Sequence, residues 1–410
     1  MDGLTIRPIA EAEWPVFATV FREAFNSEAP PAVVDRYRAL SELDRLLAAF
    51  DGDQMVGTAG ALSFAMTVPG GTAPVAGVTL VSVLPSHRRR GILSAMMRRQ
   101  LNDLHEGGEP VAALYPSEAA IYGRFGYGRA ADSLTFDIPR HGAAFVPDAP
   151  TDPALRLRVA DPARARKELE QVFEIVRAER PGQYARTAAR WDDLLADEEF
   201  DRSGTGALRC VIAEDGSGPR GYALFRVKRK ASEDDLPANE LLLQELYAVD
   251  PAAYALVWRG VLERDLIARV RAWSRPVDDP LIHLLAEPRH LRPLWRDDLW
   301  VRVVDVGRAL SARAYAAPVD LVFEVEDAYC PWNARCWRLS ADGAGAVCEP
   351  SSAAADVTLP VSALGAAYLG GRPLVGMLRA GLIREHTRGA VARLSTAMSW
   401  EPRPCAALVF

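Results

Sequence analysis

"HRRRGILSAMMRRQL", His87 to Leu101, directly follows the apolar run "GVTLVSVLPS" of residues 77–86. That run has the β-branched and apolar content of a buried strand, and Pro85 ends it. Beyond Gly91 the apolar residues Ile92, Leu93, Met96, Met97 and Leu101 recur at helical spacing, up to the stop "EGG" at 106–108. Strand, basic loop and helix in this order put Arg88, Arg89 and Arg90 at the entrance of a helix whose first N–H groups lack internal partners. A run of like charges is by itself a solvated turn. At a helix N-terminus, where the dipole favours anions, the same charges make a phosphate cradle. Forked guanidinium donors suit phosphate oxygens, and Gly91 permits close backbone approach. Val81 and Val83 lie on one side of the strand and leave its backbone groups to an extended ligand arm.

The rest of the chain bounds what such a cradle serves. At 410 residues it exceeds one ordinary core, so two or three domains are expected. With 49% apolar and 25% charged residues it has the balance of a globular protein. A formal net charge of -6 argues against general nucleic-acid binding, so the arginine cluster addresses a small anion. Five cysteines, odd in number and never spaced as CxxC, support neither a disulfide framework nor a zinc site. The six histidines are dispersed, and no metal is expected. The opening "MDGLTIRPIAEAEW" lacks the pattern of a signal peptide, and no stretch reaches the apolar length of a membrane span. A cytoplasmic protein without membrane contact is expected.

Upstream of the cradle the sequence reads as strand "LTIRPI", helix "AEWPVFATVFREAF", then strands "RLLAAFDG" and "QMVGTAGALSFAMTVPGG". Downstream, "PVAALYP" supplies another strand. These elements form a mixed α/β domain over residues 1–150, closed by the proline-rich linker "VPDAPTDPA". The order then repeats. "LRLRVADPARARKELEQVFEIV" restates the opening strand and helix, and "LRCVIAEDGSGPRGYALFRVK" the two strands around an acidic turn. "NELLLQELYAVDPAAYALVWRGVLERDL" then aligns with "VAGVTLVSVLPSHRRRGILSAMMRRQL". The pattern is a diverged internal duplication whose second copy spans 151–286. That copy carries Asp250 and Ala252 where the first has its arginines and glycine, so it is expected to have lost the anion site. Over 287–410, "DLVFEVEDAYCPWNARCWRLS" and "DVTLPVSALGAAYLGG" read as strands with a short helix, a separate α+β domain.

The spacing V-x-V-x-P-x-x-R-R-x-G from Val81 to Gly91 resembles the acetyl-CoA signature of the GCN5-related N-acetyltransferases, or GNAT enzymes. With "YPSEAAIYGRFGYGRAA" at 115–131, the duplicated pattern and the final Phe410, essentially the whole chain resembles the Eis (enhanced intracellular survival) group of actinobacterial acetyltransferases. The resemblance implies an α/β (α+β) architecture: a catalytic GNAT domain, a central GNAT-like domain without the CoA loop, and a sterol carrier protein-like domain. It implies acetyl-CoA as co-substrate, held by Val81, Ser82, Val83, Arg88, Arg89, Arg90, Gly91, Ile92, Leu93 and Ser94. It further implies a homohexamer that acetylates primary amines on aminoglycosides, polyamines or lysine-containing peptides, and with that antibiotic resistance.

Within that motif Tyr122 is the candidate general acid, since a phenol with a pKa of about 10 stays protonated at neutral pH and can protonate a departing thiolate. By residue type alone Tyr122 and Tyr127 are both packing aromatics; the family motif selects Tyr122. The resemblance also implies that the terminal carboxylate of Phe410 acts as base through water. An exposed α-carboxylate has a pKa of about 3.5, which burial would have to raise. The apolar "CAALVF" is suited to insertion into protein. By residue type Ser117 and Glu118 either cap the following helix or approach the cofactor, and the resemblance favours cofactor binding. His87 reads as a polar turn residue, and Met96 and Met97 as core packing. Val409 and "FNSEAP" stand where an acidic pocket for polycationic acceptors would need carboxylates. The alternative function is a non-enzymatic acyl-CoA or lipid-binding scaffold, which amine-dependent thiol release from acetyl-CoA would exclude.

Overall fold

The computed structural model describes residues 3–231, 238–406, 409 and 410. β1 (Leu4–Pro8), α1 (Trp14–Phe25) and α2 (Pro31–Leu40) precede β2 (Leu46–Asp51), β3 (Gln54–Val68) and β4 (Gly71–Val83). Then come α3 (Ile92–Glu106), β5 (Val111–Leu114), α4 (Ala119–Tyr122), β6 (Gly128–Arg129) and β7 (Asp132–Pro139). The repeat follows as β8 (Arg156–Ala160), α5 (Arg166–Glu179), α6 (Ala188–Leu195), β9 (Arg209–Asp215), β10 (Gly218–Lys228), β11 (Asn239–Ala248), α7 (Pro251–Leu262) and β12 (Ile267–Pro276). After α8 (Leu281–Leu284), β13 (Leu294–Asp297) and β14 (Trp300–Val303), the chain forms α9 (Val306–Ser311), β15 (Val319–Glu326), β16 (Cys336–Asp342) and β17 (Gly345–Pro350). It closes with β18 (Val357–Pro360), α10 (Val361–Ala367), α11 (Leu374–Arg379), β19 (Arg384–Glu385) and α12 (Ala390–Met398). The α2 helix was not expected. It buries no residue, so it leaves no apolar stripe to read.

The first sheet runs β1-β2-β3-β4-β5-β14-β6 and the second β13-β7-β12-β11-β10-β9-β8. In each, four antiparallel strands end in one parallel pair, β4 with β5 and β11 with β12. The parallel step requires a crossover helix, supplied by α3 and α7. Both sheets are covered on two faces. On β2, Leu46, Ala48 and Phe50 pack under α1 with Trp14, Phe17 and Phe21, whereas the alternate Leu47 and Ala49 pack under α3 with Ile92 and Met96. On β9, Cys210 and Ile212 face Leu169 and Phe173 of α5, and Val211 and Ala213 face Val257 and Trp258 of α7. The duplication is therefore repeated in three dimensions.

The sheets divide the chain differently from its linear order. β7 precedes the repeat yet pairs with β12 in the second sheet, and β14 follows the repeat yet inserts between β5 and β6 in the first. Each sheet thus takes its sixth strand from beyond its own segment. By contact, residues 3–131, 298–401, 409 and 410 form one unit, and 132–297 with 402–406 the other. The third sheet, β17-β16-β15-β18-β19, belongs to the first unit, with α10 and α12 packed against it. Among the described residues no helix is long and apolar enough to cross a membrane, and no group of three His, Cys, Asp or Glu side chains converges as for a metal.

Candidate active site

A single turn at Pro85–His87 carries the chain from β4 into the arginine loop. Arg89 at φ 62° and Gly91 at φ 79° take left-handed backbone, so the loop turns sharply before α3. Gly91 is the N-cap, and no side chain caps this end. The first helical hydrogen bond runs from the Ala95 N–H to the Gly91 carbonyl, which leaves the N–H groups of Ile92, Leu93 and Ser94 without a helical acceptor. The three arginines are not equivalent. Arg90 Nη2 lies 2.9 Å from Asp51 Oδ2, and His87 Nε2 lies 3.5 Å from the same oxygen. Arg88 and Arg89 are exposed and have no carboxylate partner among the described residues. Asp51, which sequence reasoning missed, ties the loop to the end of β2; its only trace was the "FDGD" turn.

β4 pairs with β5 at only three positions, ending at Gly77 with Ala113, while its pairing with β3 continues to Val83. Beyond Gly77 the two parallel strands splay. From Gly77 to Val83 the free edge runs about 20 Å, at roughly 3.3 Å per residue. A bulge shapes this edge: Thr58 faces Ser82 and Gly60 faces Thr79, with Leu80 between them at φ 53°. The buried Thr58 hydroxyl donates to the Leu80 carbonyl at 2.7 Å, so the Ser82 hydroxyl, 2.7 Å away, must donate to Thr58. The Ser82 side chain is thereby committed inward and only its backbone is available to a ligand. Val81 and Val83 are half-buried against the α3 packing face.

Past β5 lie Ser117 and Glu118, both exposed. Glu118 occupies the N-cap position of the four-residue α4 without a side-chain cap bond, so of the two expected roles capping is not made. The Tyr122 and Tyr127 rings meet edge to face at 6.0 Å. Tyr127 is fully buried in the α3 core, its hydroxyl without a hydrogen-bond partner among the described residues. Burial, above all, holds its pKa well over the usual value. Tyr122 is half-buried, and burial followed by the Glu118 charge raises its pKa. The Phe410 ring sits 4.8 Å from Phe64 and 5.3 Å from Tyr115. A methyl on Gly77 would fall 2.8 Å from that ring, so Phe410 rests on the glycine where the strands part. Phe64, Gly77 and Tyr115 form this seat. A glycine inside a strand pattern was the one signal for it.

Comparison with known proteins matches three consecutive segments of the chain. Residues 5–130 and 182–303 match acetyltransferase (GNAT) domain families, and 306–407 match the sterol carrier protein domain. An uncharacterized N-acetyltransferase of Streptomyces avermitilis is 45% identical, covering 96% of each chain. N-acetyltransferase Eis of Mycobacterium tuberculosis is 33% identical over 97% of each. The crystal structure of Eis1 from Mycobacterium abscessus superposes with a TM-score of 0.86 at 35% identity, covering 99% of this chain and 100% of that one.

Proposed function

The chain belongs to the Eis-type N-acetyltransferases of the GNAT superfamily, and on that premise we propose that it moves the acetyl group of acetyl-CoA onto a primary amine by direct attack in a ternary complex. The observation that carries the reading is the uncapped N-terminus of α3, flanked by two uncommitted arginines, at the end of a strand whose backbone edge is open. The N–H groups of Ile92, Leu93 and Ser94, with Arg88 and Arg89, receive the diphosphate. Arg90 fixes the loop through Asp51. The β4 edge beyond Gly77 accepts the extended pantetheine arm as a sheet accepts an added strand. The thioester then lies where the strands part, beside Phe410.

There the amine nitrogen attacks the thioester carbonyl carbon. A carbon–nitrogen bond forms, and β4 backbone N–H groups steady the oxyanion that develops. The carbon–sulfur bond breaks, and Tyr122 gives its proton to the leaving sulfur. A carboxylate at Phe410, in the role the family resemblance implies, takes the amine's proton through water. The raised pKa keeps Tyr122 protonated and able to act. Tyr127 is sealed in the core and has no part in the transfer. Ser117 and Glu118 border the thiol end of the cleft. Aminoglycosides, polyamines and lysine side chains are the proposed acceptors, a homohexamer the working form and the cytoplasm its place. Sedimentation equilibrium tests the hexamer. The chemistry is tested by thiol release from acetyl-CoA with and without a panel of amines, products being identified by mass. Tight acetyl-CoA binding with no amine-dependent thiol release would restore the scaffold reading.

A further inference from the structure

In the second unit a cavity of about 1080 Å³ opens at the end of the sheet away from the α7 N-terminus. The C-terminal turn of α7, the end of β10 and the starts of β9, β11 and β12 surround it. Arg209, Arg229, Arg259 and Arg264 line it, and among the described residues none of the four has a carboxylate within ion-pair distance. Elsewhere in this unit arginines are paired as a rule: Arg158 with Glu214, Arg186 with Glu245, Arg220 with Asp250, Arg275 with Asp279. Among the described residues two acids lie on the cavity wall, Glu263 and Asp265, and Asp265 is 97% exposed and drawn to Arg140 at 3.5 Å. The opposite wall is the loop Ser203–Ala207, "SGTGA", in which Ser203 and Gly204 both take left-handed backbone. Leu157, Leu256 and Ile267 give the floor an apolar character.

We propose that this cavity is a second anion site, taking a small organic polyphosphate of nucleotide size. Four convergent guanidinium groups match the charge of two or three phosphates, and the apolar floor suits a ring or a short organic body. Arg264 is the strongest sign of an absent counter-charge. It is half-buried over the Phe225 ring at 4.8 Å, and burial together with the Arg209 charge lowers its pKa. Holding like charges together in this way costs stability unless an anion joins them. Arginines near a helix C-terminus also answer its dipole, but that role falls off within the last turn and does not require residues from β9 and from beyond β10.

The test uses the full chain carrying Arg88→Ala with Arg89→Ala, which weakens the donor cradle, titrated calorimetrically with ADP and with inorganic tripolyphosphate. One equivalent of either probe should bind, with affinity falling at least tenfold when Arg209→Glu is added and severalfold with Arg229→Ala. Both residues are exposed, and circular dichroism verifies the fold. Tighter binding of ADP than of tripolyphosphate identifies a nucleotide as the class; the reverse order identifies free polyphosphate, and either supports the site. No binding in the Arg88→Ala, Arg89→Ala protein, or binding indifferent to both added substitutions, overturns it.

Discussion

The N-termini of α3 and α7 occupy equivalent places in two sheets of the same design, and they meet anions in opposite ways. At α3 no side chain caps the helix, and among the described residues Arg88 and Arg89 have no carboxylate partner. At α7 Asp250 is the cap: its Oδ1 accepts from the Ala252 and Ala253 N–H groups at 3.0 Å each, and its Oδ2 takes Arg220 Nε at 2.8 Å. The second helix thus carries its anion covalently, complete with a guanidinium partner. The clefts differ in the same sense. β11 and β12 part beyond Leu243 and Ala272, as β4 and β5 do beyond Gly77 and Ala113. Yet Arg275 of β12 donates to the Leu246 carbonyl of β11 at 3.3 Å, and Cys405 is bound there through Pro181 and Gln183. The second copy keeps the strands and satisfies, from its own side chains, helix N–H groups that the first copy leaves open.

The largest expected effect comes from removing the proposed acid in the first cleft. Tyr122→Phe should lower kcat by about 10² to 10⁴ with acetyl-CoA binding and fold retained, whereas Tyr127→Phe stays near wild type. Because Asp250 occupies the N-terminus of α7, nothing there should make up the loss; turnover surviving in Tyr122→Phe would break the comparison. The same group governs alkaline behaviour. A general acid fails as pH rises through its pKa, and burial with Glu118 moves that of Tyr122 upward, so kcat should show no alkaline loss from this group below about pH 10. Next is Gly77→Ala. Its methyl would lie 2.3 Å from Phe64 and 2.8 Å from Phe410, so the seat must shift and kcat should fall by about 10², with the acetyl-CoA KM little changed.

Arg88→Ala with Arg89→Ala should raise the acetyl-CoA KM by about tenfold or more and spare kcat at saturation. In protein carrying Arg209→Glu, which disables the cavity at the far end of the second sheet, calorimetry should find one acetyl-CoA per chain, and a stoichiometry near two would show that Asp250 had not abolished the second cradle. Smallest is Asp250→Ala, which removes a cap worth about 1 kcal/mol and should lower Tm by about 2 °C without altering turnover. A gain in acetyl-CoA stoichiometry in that variant would mean that the carboxylate alone had been holding the second site shut.

The strand, arginine loop and helix over 77–106 were legible because their signals are local. Helical spacing from Ile92 to Leu101, the Pro85 stop and Gly91 all act within one strand, loop and helix, and a few neighbouring residues decide them. The difference between the two copies at this point was legible for the same reason, although the sequence showed only an unlike residue and the structure shows a capping carboxylate. What stayed hidden depends on long-range contact. Three like arginines in sequence became unlike in the structure because Asp51, on another strand, meets Arg90 and His87 and, among the described residues, neither Arg88 nor Arg89 has a carboxylate partner. The Phe410 seat joins Phe64, Gly77 and Tyr115 from three strands or strand ends, each unremarked in its own segment. The placement of β7 and β14 was hidden most completely. Their alternating patterns fit either sheet, and only the edge left open in each decides the pairing.

That placement bears on how the protein is made. Val111 of β5 pairs with Val303 of β14, so a growing chain carries β5 with one edge open until β14 has been synthesised. At about 5 to 20 residues per second the wait is on the order of ten seconds or more. An open edge beside apolar strands invites foreign pairing, which makes the nascent first sheet a natural client of chaperones. Translation stopped anywhere before Val303 would release an unfinished sheet, not a smaller enzyme, so ribosomal completion itself licenses the acetyltransferase.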